Sequence, residues 1–521
     1  MDSNFSPYTP IYGRPEFTVP APKAEIPDNP LPPEVVYQLI TSELLLDGRN
    51  GLNLATFCNE DYTDSWGLKL IVENINKNFI DHEEYPGTNL AEKRSIRMLA
   101  KELGTTFAPS DTDPDSAIGY YGSATIGSSE AVMLGLIAHK YKWNQNNQQN
   151  LINGKADPQD RPVVLMSAHV HGCWDKFCNY YGAVPLYIKI NDSPYTISGA
   201  DVSEILNTQI EDPDSPYAKT IKRKLNYLNN QGNRTIGELV MCVGAVVGTT
   251  FTGNSDNVVE IDSAVDEYCK NAPNGLNIDI PIHVDAASGG FVLMFSKNGS
   301  EIPFNFSSTT RVRSINISNH KFGMTFPGMG SVVFRDSSVV DKSLIYNITY
   351  LGGSFMDYTV NFSRGSNMIL MQYYNFLQFG RSGYQSIINN CLTNTQSFLQ
   401  ELQQSPVLGT LLKNISDSVH LPIIVLTWAD GRTLPSWNLT DLSNELRNTG
   451  WIVPSYVLPQ ASPEDIILPK DGTQVLRIVV QQVVSSDKLS KLLIDMENAV
   501  QILNRSSIST PQRHLFTGYK C

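Results

Sequence analysis

The chain has 521 residues, of which 41% are hydrophobic and 17% are charged, and its formal net charge is −13 at pH 7. That length exceeds the usual size of one hydrophobic core, so we expect a large domain with smaller parts packed on it. The acidic balance disfavours a nucleic-acid partner, because phosphate backbones bind to basic faces, but a small anion can still bind in a locally positive pocket.

The sequence bears on where the protein is located in the cell. The N-terminal stretch "MDSNFSPYTPIYGRPEFTVPAPK" lacks the apolar segment of a signal peptide. The longest apolar run, "LVMCVGAVVG", is too short to span a bilayer and predicts a buried strand. The seven cysteines are scattered without a C-x-x-C pair, which indicates reduced thiols. We therefore expect a cytoplasmic protein with no membrane partner.

The chain begins with a proline-rich arm. Residues 1–34 show neither helical nor strand periodicity. The stretch "PPEVVYQLITSELLLDG" then predicts an amphipathic helix that begins near Pro33 and ends before Gly48. We assign residues 1–52 to an N-terminal arm and helix.

Residues 53–390 alternate between helical segments and apolar strands. The stretches "EAVMLGLIAHKYKW" and "DKFCNYYG" predict helices. Strands are predicted for "PVVLMSA", "VPLYIKI", "ELVMCVGAVVG", "IPIHVDAA" and "RSINIS". Apolar strands separated by helices are typical of an α/β fold, with a mostly parallel sheet covered on both faces. In such sheets, ligands bind at the carboxyl ends of the strands.

Residues 391–521 change in character and predict a small α+β domain. The stretches "LPIIVLTWA", "WIVPSYVL" and "QVLRIVVQQ" are typical of strands. The stretch "SSDKLSKLLIDMENAVQIL" predicts a helix, for which Ser486 is the expected N-terminal cap.

A first candidate motif lies in "GYYGSATIGSSEAVMLGL". Gly127, Ser128 and Ser129 come just before a predicted helix, whose first turn offers free N–H groups and a positive dipole end. Two hydroxyl groups at that point suit a phosphate. Simple helix capping by either serine explains the motif equally well. The sequence lacks G-x-x-x-x-G-K-[ST] and a strand-linked G-x-G-x-x-G, which argues against a nucleotide phosphate.

Two further motifs lie at the ends of predicted strands. In "HVDAASGGF", Asp285 is followed by small residues that leave room for a flat ring, and a buried carboxylate needs a cationic partner such as the pyridinium nitrogen of pyridoxal phosphate. Helix capping by Asp285 is the alternative. In "SNHKFG", Lys321 ends another strand, where an amine with a lowered pKa can form a Schiff base. Together the three motifs favour a small aromatic aldehyde that bears a phosphate.

The stretch "SAHVHGCWDKF" contains two histidines. His169 and His171 are two positions apart, and on a strand they would point the same way, as metal ligands can. The neighbouring sequence offers no carboxylate or cysteine cluster to complete a metal site, so we predict no metal. We expect the His171 ring to stack on the cofactor instead.

Long segments of the chain, from about residue 30 to 490, resemble the group II pyridoxal-phosphate decarboxylases, and among them most closely the glutamate decarboxylases. The segments are "NLATFC", "INKNFIDHEEYP", "IGSSEAVMLG", "CWDKF", "TFTGN", "HVDAASGGF", "SNHKFGM", "YLGGSF", "NFSRG", "QYYNFLQFGRSGY" and "LRIVV". The resemblance implies an aspartate-aminotransferase-like fold (fold type I) with a seven-stranded, mostly parallel sheet. It also implies pyridoxal 5'-phosphate as cofactor and decarboxylation of L-glutamate to 4-aminobutanoate (GABA) and CO₂.

The resemblance implies roles for individual residues. Lys321 would hold the cofactor covalently, and Lys321, Asp285 and His171 would be the catalytic residues. The implied cofactor contacts are Ser128, Ser129, His171, Thr250, Asp285, Ala287, His320 and Lys321. Ser363, in "NFSRG", would reach the phosphate of the neighbouring subunit, which implies a homodimer or a higher homo-oligomer with shared active sites.

The resemblance also implies a site for the amino-acid substrate. Thr56, Phe57, Asn78 and Asp81 match the residues that contact the distal carboxylate in the family. Arg477 matches the arginine for the α-carboxylate, and a guanidinium suits a carboxylate because it donates hydrogen bonds in a fork.

Two departures from the family pattern keep other functions open. The glutamate decarboxylases usually have glutamine where this chain has His171, and the stretch "GSFMDYTVNF" differs from the usual "GQIGTF". The alternatives are a decarboxylase of a related acidic or specialised-metabolism amino acid, an aminotransferase, and a non-catalytic binding protein. The presence of Lys321, Asp285, Ser128 and Arg477 argues against the last.

Overall fold

The computed structural model describes residues 24–60, 64–113, 115, 119–190, 194–226, 233–348, 355–469 and 472–505. They fall into two compact units, one up to Asn53 and one from Leu54 onward. The first unit contains helix α1 (Pro33–Leu44), which begins with a proline as predicted. Most of the predicted N-terminal arm lies outside the described residues.

The second unit is built from alternating helices and strands. Its helices are α2 (Ser65–Glu73), α3 (Pro86–Glu102), α4 (Ser128–Ile152), α5 (Cys173–Tyr181), α6 (Gly199–Asn207), α7 (Pro216–Lys224), α8 (Val258–Lys270), α9 (Gly289–Phe295), α10 (Asn367–Gln404), α11 (Leu408–Leu411), α12 (Leu439–Arg447) and α13 (Ser486–Arg505). Its strands are β1 (Gly122–Thr125), β2 (Val163–Ser167), β3 (Val184–Ile188), β4 (Val240–Val246), β5 (Ile282–Asp285), β6 (Val312–Ile317), β7 (Gly330–Phe334), β8 (Tyr346–Ile348), β9 (Phe355–Asp357), β10 (Leu412–Asn414), β11 (Ile423–Trp428), β12 (Ser455–Val457), β13 (Gln460–Ser462), β14 (Asp465–Ile467) and β15 (Gln474–Val479).

The central sheet has seven strands in the order β1-β7-β6-β5-β4-β2-β3. β7 pairs antiparallel with both of its neighbours, and the remaining strands are parallel to one another. Every residue of β2, β4 and β5 is buried, because helices cover both faces of the sheet. The predicted α/β fold with a mostly parallel seven-stranded sheet is confirmed.

A second, antiparallel sheet follows in the C-terminal part, with the order β10-β11-β15-β12. The small C-terminal domain was predicted to begin at residue 391, a position that lies within the long helix α10. The exact boundary therefore stays a prediction. The predicted cap of α13 is wrong by one position: Ser486 is the first helical residue, and the Ser485 hydroxyl accepts the hydrogen bond from the Lys488 N–H.

The parallel strands bring the predicted site residues to one edge of the sheet. β5 ends at Asp285, and the segments that follow β2, β4 and β6 contain His171, Thr250 and Lys321. Of the helices in the described part of the chain, none combines the length and the apolar character needed to cross a membrane.

Candidate active site

A cavity of about 460 Å³ lies at the carboxyl edge of the central sheet. Eight of the predicted site residues line this one cavity. They are Ser128, Ser129, His171, Thr250, Asp285, Ala287, His320 and Lys321. The structure therefore brings together every residue that the sequence predicted for cofactor contact within one subunit.

One end of the cavity is formed by the N-terminus of α4. Gly127 is the N-cap residue, and no side-chain hydrogen bond caps the helix. The Ser128 hydroxyl instead lies 2.6 Å from the hydroxyl of Ser318, which also lines the cavity. Simple helix capping therefore does not explain these serines, and the uncapped turn with its hydroxyl groups suits a phosphate.

Asp285 is buried on the wall of the cavity, and its carboxylate accepts three hydrogen bonds. The indole Nε1 of Trp174 donates to Oδ2 at 3.0 Å, and the Asn316 amide donates to Oδ1 at 2.9 Å. The Ala287 N–H also donates to Oδ1, at 3.2 Å. A buried carboxylate that accepts from three donors and faces the cavity suits a cationic ring nitrogen as its remaining partner.

The Lys321 amine faces the same cavity. Its Nζ donates to Ser288 Oγ at 2.9 Å and lies 5.0 Å from the centroid of the Phe57 ring. Burial is the main cause that lowers the pKa of Lys321, and the Arg477 charge lowers it further, while Asp285 opposes both. A lysine with a lowered pKa is a nucleophile near neutral pH.

Burial lowers the pKa of each histidine that lines the cavity. Burial, with a contribution from Lys321, lowers the pKa of His320 to about 4, and its Nδ1 donates to the Met329 carbonyl at 2.8 Å. Burial also lowers the pKa of His171, whose Nδ1 accepts from the Cys173 N–H at 3.3 Å. His169 contacts the Pro459 carbonyl through Nε2 at 3.2 Å, so the two histidines that might have shared a metal make separate contacts.

Phe57 and Arg477 lie next to the cavity. The Arg477 guanidinium carbon is 4.9 Å from the Phe57 ring centroid, and the Lys321 amine contacts the same ring. Arg477 donates from Nη1 to the Thr250 carbonyl and from Nη2 to the Ala55 carbonyl, each at 2.7 Å. Its Nε is buried and has no hydrogen-bond partner within the described residues, and these two bonds use two of the five N–H donors of the guanidinium, so donors remain for a ligand.

Thr56 belongs to the same segment. Its hydroxyl accepts from the Cys58 N–H at 3.0 Å, and its carbonyl accepts from the Gln481 amide at 2.6 Å. Gln481 also donates to the Cys58 carbonyl at 2.6 Å. The Gln481 side chain, which was not predicted from the sequence, therefore holds the segment that contains Phe57 in place.

Asn78, Asp81 and Ser363 form a separate group. The Asn78 amide donates to Ser363 Oγ at 3.3 Å, and its carbonyl oxygen accepts from the Arg364 N–H at 3.1 Å. The Asp81 N–H donates to the Asn78 main-chain carbonyl at 3.2 Å. None of these three residues lines the cavity at Lys321 in the same subunit.

Glu130 is a further residue that sequence reasoning missed. Its buried carboxylate accepts from the Ile126 N–H at 2.9 Å, and from the N–H groups of Val360 and Asn361 at 3.0 and 3.1 Å. All four residues line the cavity. Glu130 thus joins the N-terminus of α4 to a segment that is distant in sequence, and its position beside Ser129 was the one local signal.

The donor set fits pyridoxal phosphate. Hydroxyl groups and an uncapped helix N-terminus suit the phosphate, a buried carboxylate with three donors suits the ring nitrogen, and a lysine with a lowered pKa suits the aldehyde. The fold and this cavity therefore define a pyridoxal-phosphate enzyme of the aspartate-aminotransferase type.

Comparison with known proteins narrows that class. The pyridoxal-dependent decarboxylase conserved domain matches residues 62–419. Glutamate decarboxylase from Petunia hybrida is 32% identical over 483 residues, which cover 93% of this chain and 84% of the petunia chain. Glutamate decarboxylase from Lactococcus lactis subsp. cremoris is 30% identical over 499 residues, or 96% of this chain and 94% of that one.

A solved structure agrees with the sequence comparison. Glutamate decarboxylase from Lactobacillus brevis superposes with a TM-score of 0.78 at 28% identity, over 96% of this chain and 99% of that chain. The chain belongs to the pyridoxal-dependent decarboxylase family. The predicted family, fold, cofactor and reaction class are confirmed, and the protein is a pyridoxal-phosphate-dependent carboxy-lyase.

Proposed function

We propose that the enzyme removes the α-carboxylate of L-glutamate and releases 4-aminobutanoate and CO₂. The observation that supports this most is the placement of Arg477, whose partly free guanidinium contacts the same Phe57 ring as the Lys321 amine. A cationic fork on the ring that the reacting amine also contacts suits the carboxylate of an amino acid. Relatives about 30% identical along nearly the whole chain are named glutamate decarboxylases, which supports this substrate.

The cavity residues divide the binding of pyridoxal phosphate among them. Ser128, Ser129 and His320 would contact the phosphate, Asp285 the ring nitrogen, and Lys321 would hold the aldehyde carbon. Thr250, Ala287 and His171 line the rest of the cavity and would bound the ring. When bound, the cofactor supplies an electron sink for the bond to the departing carboxylate.

The chain's own residues would assist the reaction in three ways. The Asp285 carboxylate, with its three donors, keeps a negative charge opposite the ring nitrogen. Arg477 would orient the substrate carboxylate. Lys321 can hold a proton at Nζ against Ser288 Oγ and deliver it to the substrate Cα, since decarboxylation consumes one proton.

The distal carboxylate would be bound by a second set of residues. We assign this role to Thr56, Phe57, Asn78 and Asp81, as the family pattern implies. Because Asn78 and Ser363 contact each other but lie off the cavity of their own subunit, we propose that they complete the site of a neighbouring subunit. The enzyme would then be at least a homodimer with shared active sites.

The proposal also covers the cellular location and the domain boundaries of the protein. The described cysteines, which are Cys58, Cys173, Cys178, Cys242, Cys269 and Cys391, are free thiols, and that supports a reducing, cytoplasmic location. We further propose that the subunit comprises an N-terminal arm and helix (1–52), a large cofactor-binding domain (53–390) and a small domain (391–521).

The proposal is tested by measuring CO₂ release from a panel of amino acids. We expect turnover of glutamate, with little release from aspartate or cysteine sulfinate, and no net amino transfer to an added oxo acid. If another acidic amino acid is decarboxylated while glutamate is inert, the substrate assignment is wrong. Lys321→Ala is the matched inactive control, and full turnover by that variant would contradict the assigned role of Lys321.

A further inference from the structure

A chain of buried polar side chains runs from helix α4 through the central sheet to Asp285. His139 Nε2 lies 2.7 Å from Ser314 Oγ, which in turn lies 2.6 Å from His283 Nδ1. His283 Nε2 lies 2.8 Å from Asn316 Oδ1, and Asn316 Nδ2 lies 2.9 Å from Asp285 Oδ1. All five residues are buried, and only Asp285 lines the cavity.

The chemistry of the groups fixes the direction of each hydrogen bond. An ionised carboxylate only accepts, so Asn316 must present its NH₂ group to Asp285 and its carbonyl oxygen to His283. The carbonyl oxygen also only accepts, which places the His283 proton on Nε2. The hydrogen bonds from His283 onward therefore point toward the carboxylate.

The hydrogen bonds among His139, Ser314 and His283 point in the same direction. Burial lowers the pKa of His283 to about 4 and that of His139 well below its ordinary value, which favours the neutral form of both rings. With its proton on Nε2, His283 accepts at Nδ1 from the Ser314 hydroxyl. That hydroxyl oxygen then accepts from His139 Nε2. Hydrogen bonds aligned in this way polarise one another, and each strengthens the next.

Two glycines make room for the partners of Asp285. A Cβ atom at Gly135, within α4, would lie 2.5 Å from His283 Nδ1 and 3.1 Å from Ser314 Oγ. A Cβ atom at Gly244, within β4, would lie 2.6 Å from the ring of Trp174, the donor to Asp285 Oδ2. Glycine weakens the interior of a helix or strand relative to alanine. At these two positions it instead leaves the space that His283, Ser314 and Trp174 occupy.

We propose that His139, Ser314, His283 and Asn316 are positioning residues which hold Asp285 ionised and thereby keep the proton of the pair on the cofactor ring nitrogen. The proposal rests on the proposed contact between Asp285 and that nitrogen. If this chain of hydrogen bonds is cut, Asp285 loses part of the hydrogen-bond support for its negative charge. The shared proton then moves from the ring nitrogen toward Asp285.

The ¹⁵N NMR signal of a ring-labelled pyridoxal phosphate bound to the protein reports where that proton lies. In Ser314→Ala, we expect the signal to move from the wild-type position toward that of unprotonated pyridine, because His283 Nδ1 loses its donor. The matched control is Ser331→Ala, which removes a buried hydroxyl on the adjacent strand β7 that donates to Asn319 at 2.9 Å. The control signal should stay at the wild-type position.

Variants of His139 test the hydrogen-bonded side chain that is farthest from Asp285 in the series. His139→Leu should shift the signal in the same direction but less than Ser314→Ala, and His139→Gln should restore it, because an amide can donate to Ser314 Oγ. In a Ser314→Ala background, His139→Leu should add no further shift, since the link is already cut. Additive shifts would mean that His139 acts through general packing, which would overturn the proposal.

One more variant separates this proposal from the one on which it rests. If Asp285→Asn leaves the signal unmoved, Asp285 is not the ring-nitrogen partner and the site assignment fails. If Asp285→Asn moves the signal while Ser314→Ala and His139→Leu do not, the assignment of Asp285 stands and the positioning role of the hydrogen-bonded side chains is refuted. Circular dichroism verifies folding, and if Ser314→Ala does not fold, the comparison of His139→Leu with His139→Gln decides the question.

Discussion

The Nζ atom of Lys321 donates a hydrogen bond to Ser288 Oγ at 2.9 Å. Ser288 lies just before helix α9, but its side chain does not cap that helix. The residue is buried and lines the cavity. Its hydroxyl is therefore placed to hold the charged form of the catalytic amine, which burial otherwise disfavours.

Replacing Ser288 by alanine should change how the enzyme takes up its cofactor. Loss of the acceptor destabilises the ammonium form, so the pKa of Lys321 should fall further. Only the neutral amine attacks an aldehyde. The rate at which cofactor-free protein binds pyridoxal phosphate covalently, followed by absorbance across a pH series, should therefore reach its midpoint at lower pH.

The control for this measurement is Ser296→Ala at the other end of α9. Ser296 is buried, and its hydroxyl has no hydrogen-bond partner within the described residues. Its substitution should leave the midpoint in place. A Ser288→Ala midpoint that stays with the control, or moves to higher pH, would show that the hydroxyl does not stabilise the charged amine.

Glu130→Gln should weaken cofactor binding without removing any proposed contact to the cofactor. An amide offers one acceptor oxygen where the carboxylate offers two, so at least one of the bonds to Ile126, Val360 and Asn361 is lost. A hydrogen bond to a charged group contributes about 1.5–3 kcal/mol. If about half of that loss appears in binding, the Kd for pyridoxal phosphate rises roughly four- to thirteenfold, which fluorescence titration measures.

A second buried glutamate serves as the control for that prediction. Glu238 accepts from the Thr235 N–H at 3.0 Å and does not line the cavity. Glu238→Gln should lower the free energy of unfolding and leave the Kd unchanged. Equal effects of the two substitutions on the Kd would mean that Glu130 acts only through global stability.

The site residues that could be predicted from the sequence are those that lie in short, recognisable motifs. Asp285 and Lys321 were recognisable because Asp285 ends the buried strand β5 and Lys321 closely follows the buried strand β6, at the edge where ligands bind. Glu130 was not, because its partner Val360 is 230 positions away, and no local pattern encodes that contact. The cap of α13 was misplaced for the opposite reason: Ser485 and Ser486 fit the same local pattern, and only the backbone geometry separates them.

The proposed sharing of residues between subunits predicts complementation. Lys321→Ala alone should be inactive, and the double variant Asn78→Ala, Ser363→Ala should be strongly impaired, because these two side chains contact each other but not their own cavity. A mixed dimer of the two variants contains one site with every residue intact. Random mixing in a two-fold dimer should then restore roughly a quarter of the wild-type sites.

Active-site titration of co-refolded subunits measures that restoration, with each variant refolded alone as the control. Recovery to about the predicted fraction supports a site completed by the neighbouring subunit. If the mixture is no more active than the sum of the two variants, Asn78 and Ser363 act within their own subunit.

His420 predicts a pH-dependent contribution to stability. Its ring lies between two carboxylates, with Nδ1 2.9 Å from Asp417 Oδ2 and Nε2 3.0 Å from Glu301 Oε2. Burial disfavours the charged ring, but the hydrogen bonds to both carboxylates outweigh it and raise the pKa of His420. A pKa raised by folding stabilises the folded state below the unfolded value of about 6.5, and this contribution is lost as the pH rises through the folded-state pKa.

His420→Gln should therefore destabilise the protein more at about pH 5.5 than at about pH 8.5, by roughly 0.5 kcal/mol, because the site is partly exposed. Urea unfolding at the two pH values measures the difference in the free energy of unfolding. In a Glu301→Gln background the difference should shrink, since one of the two carboxylates is already gone. A larger loss at the higher pH would reverse the sign and show that His420 is neutral in the folded protein.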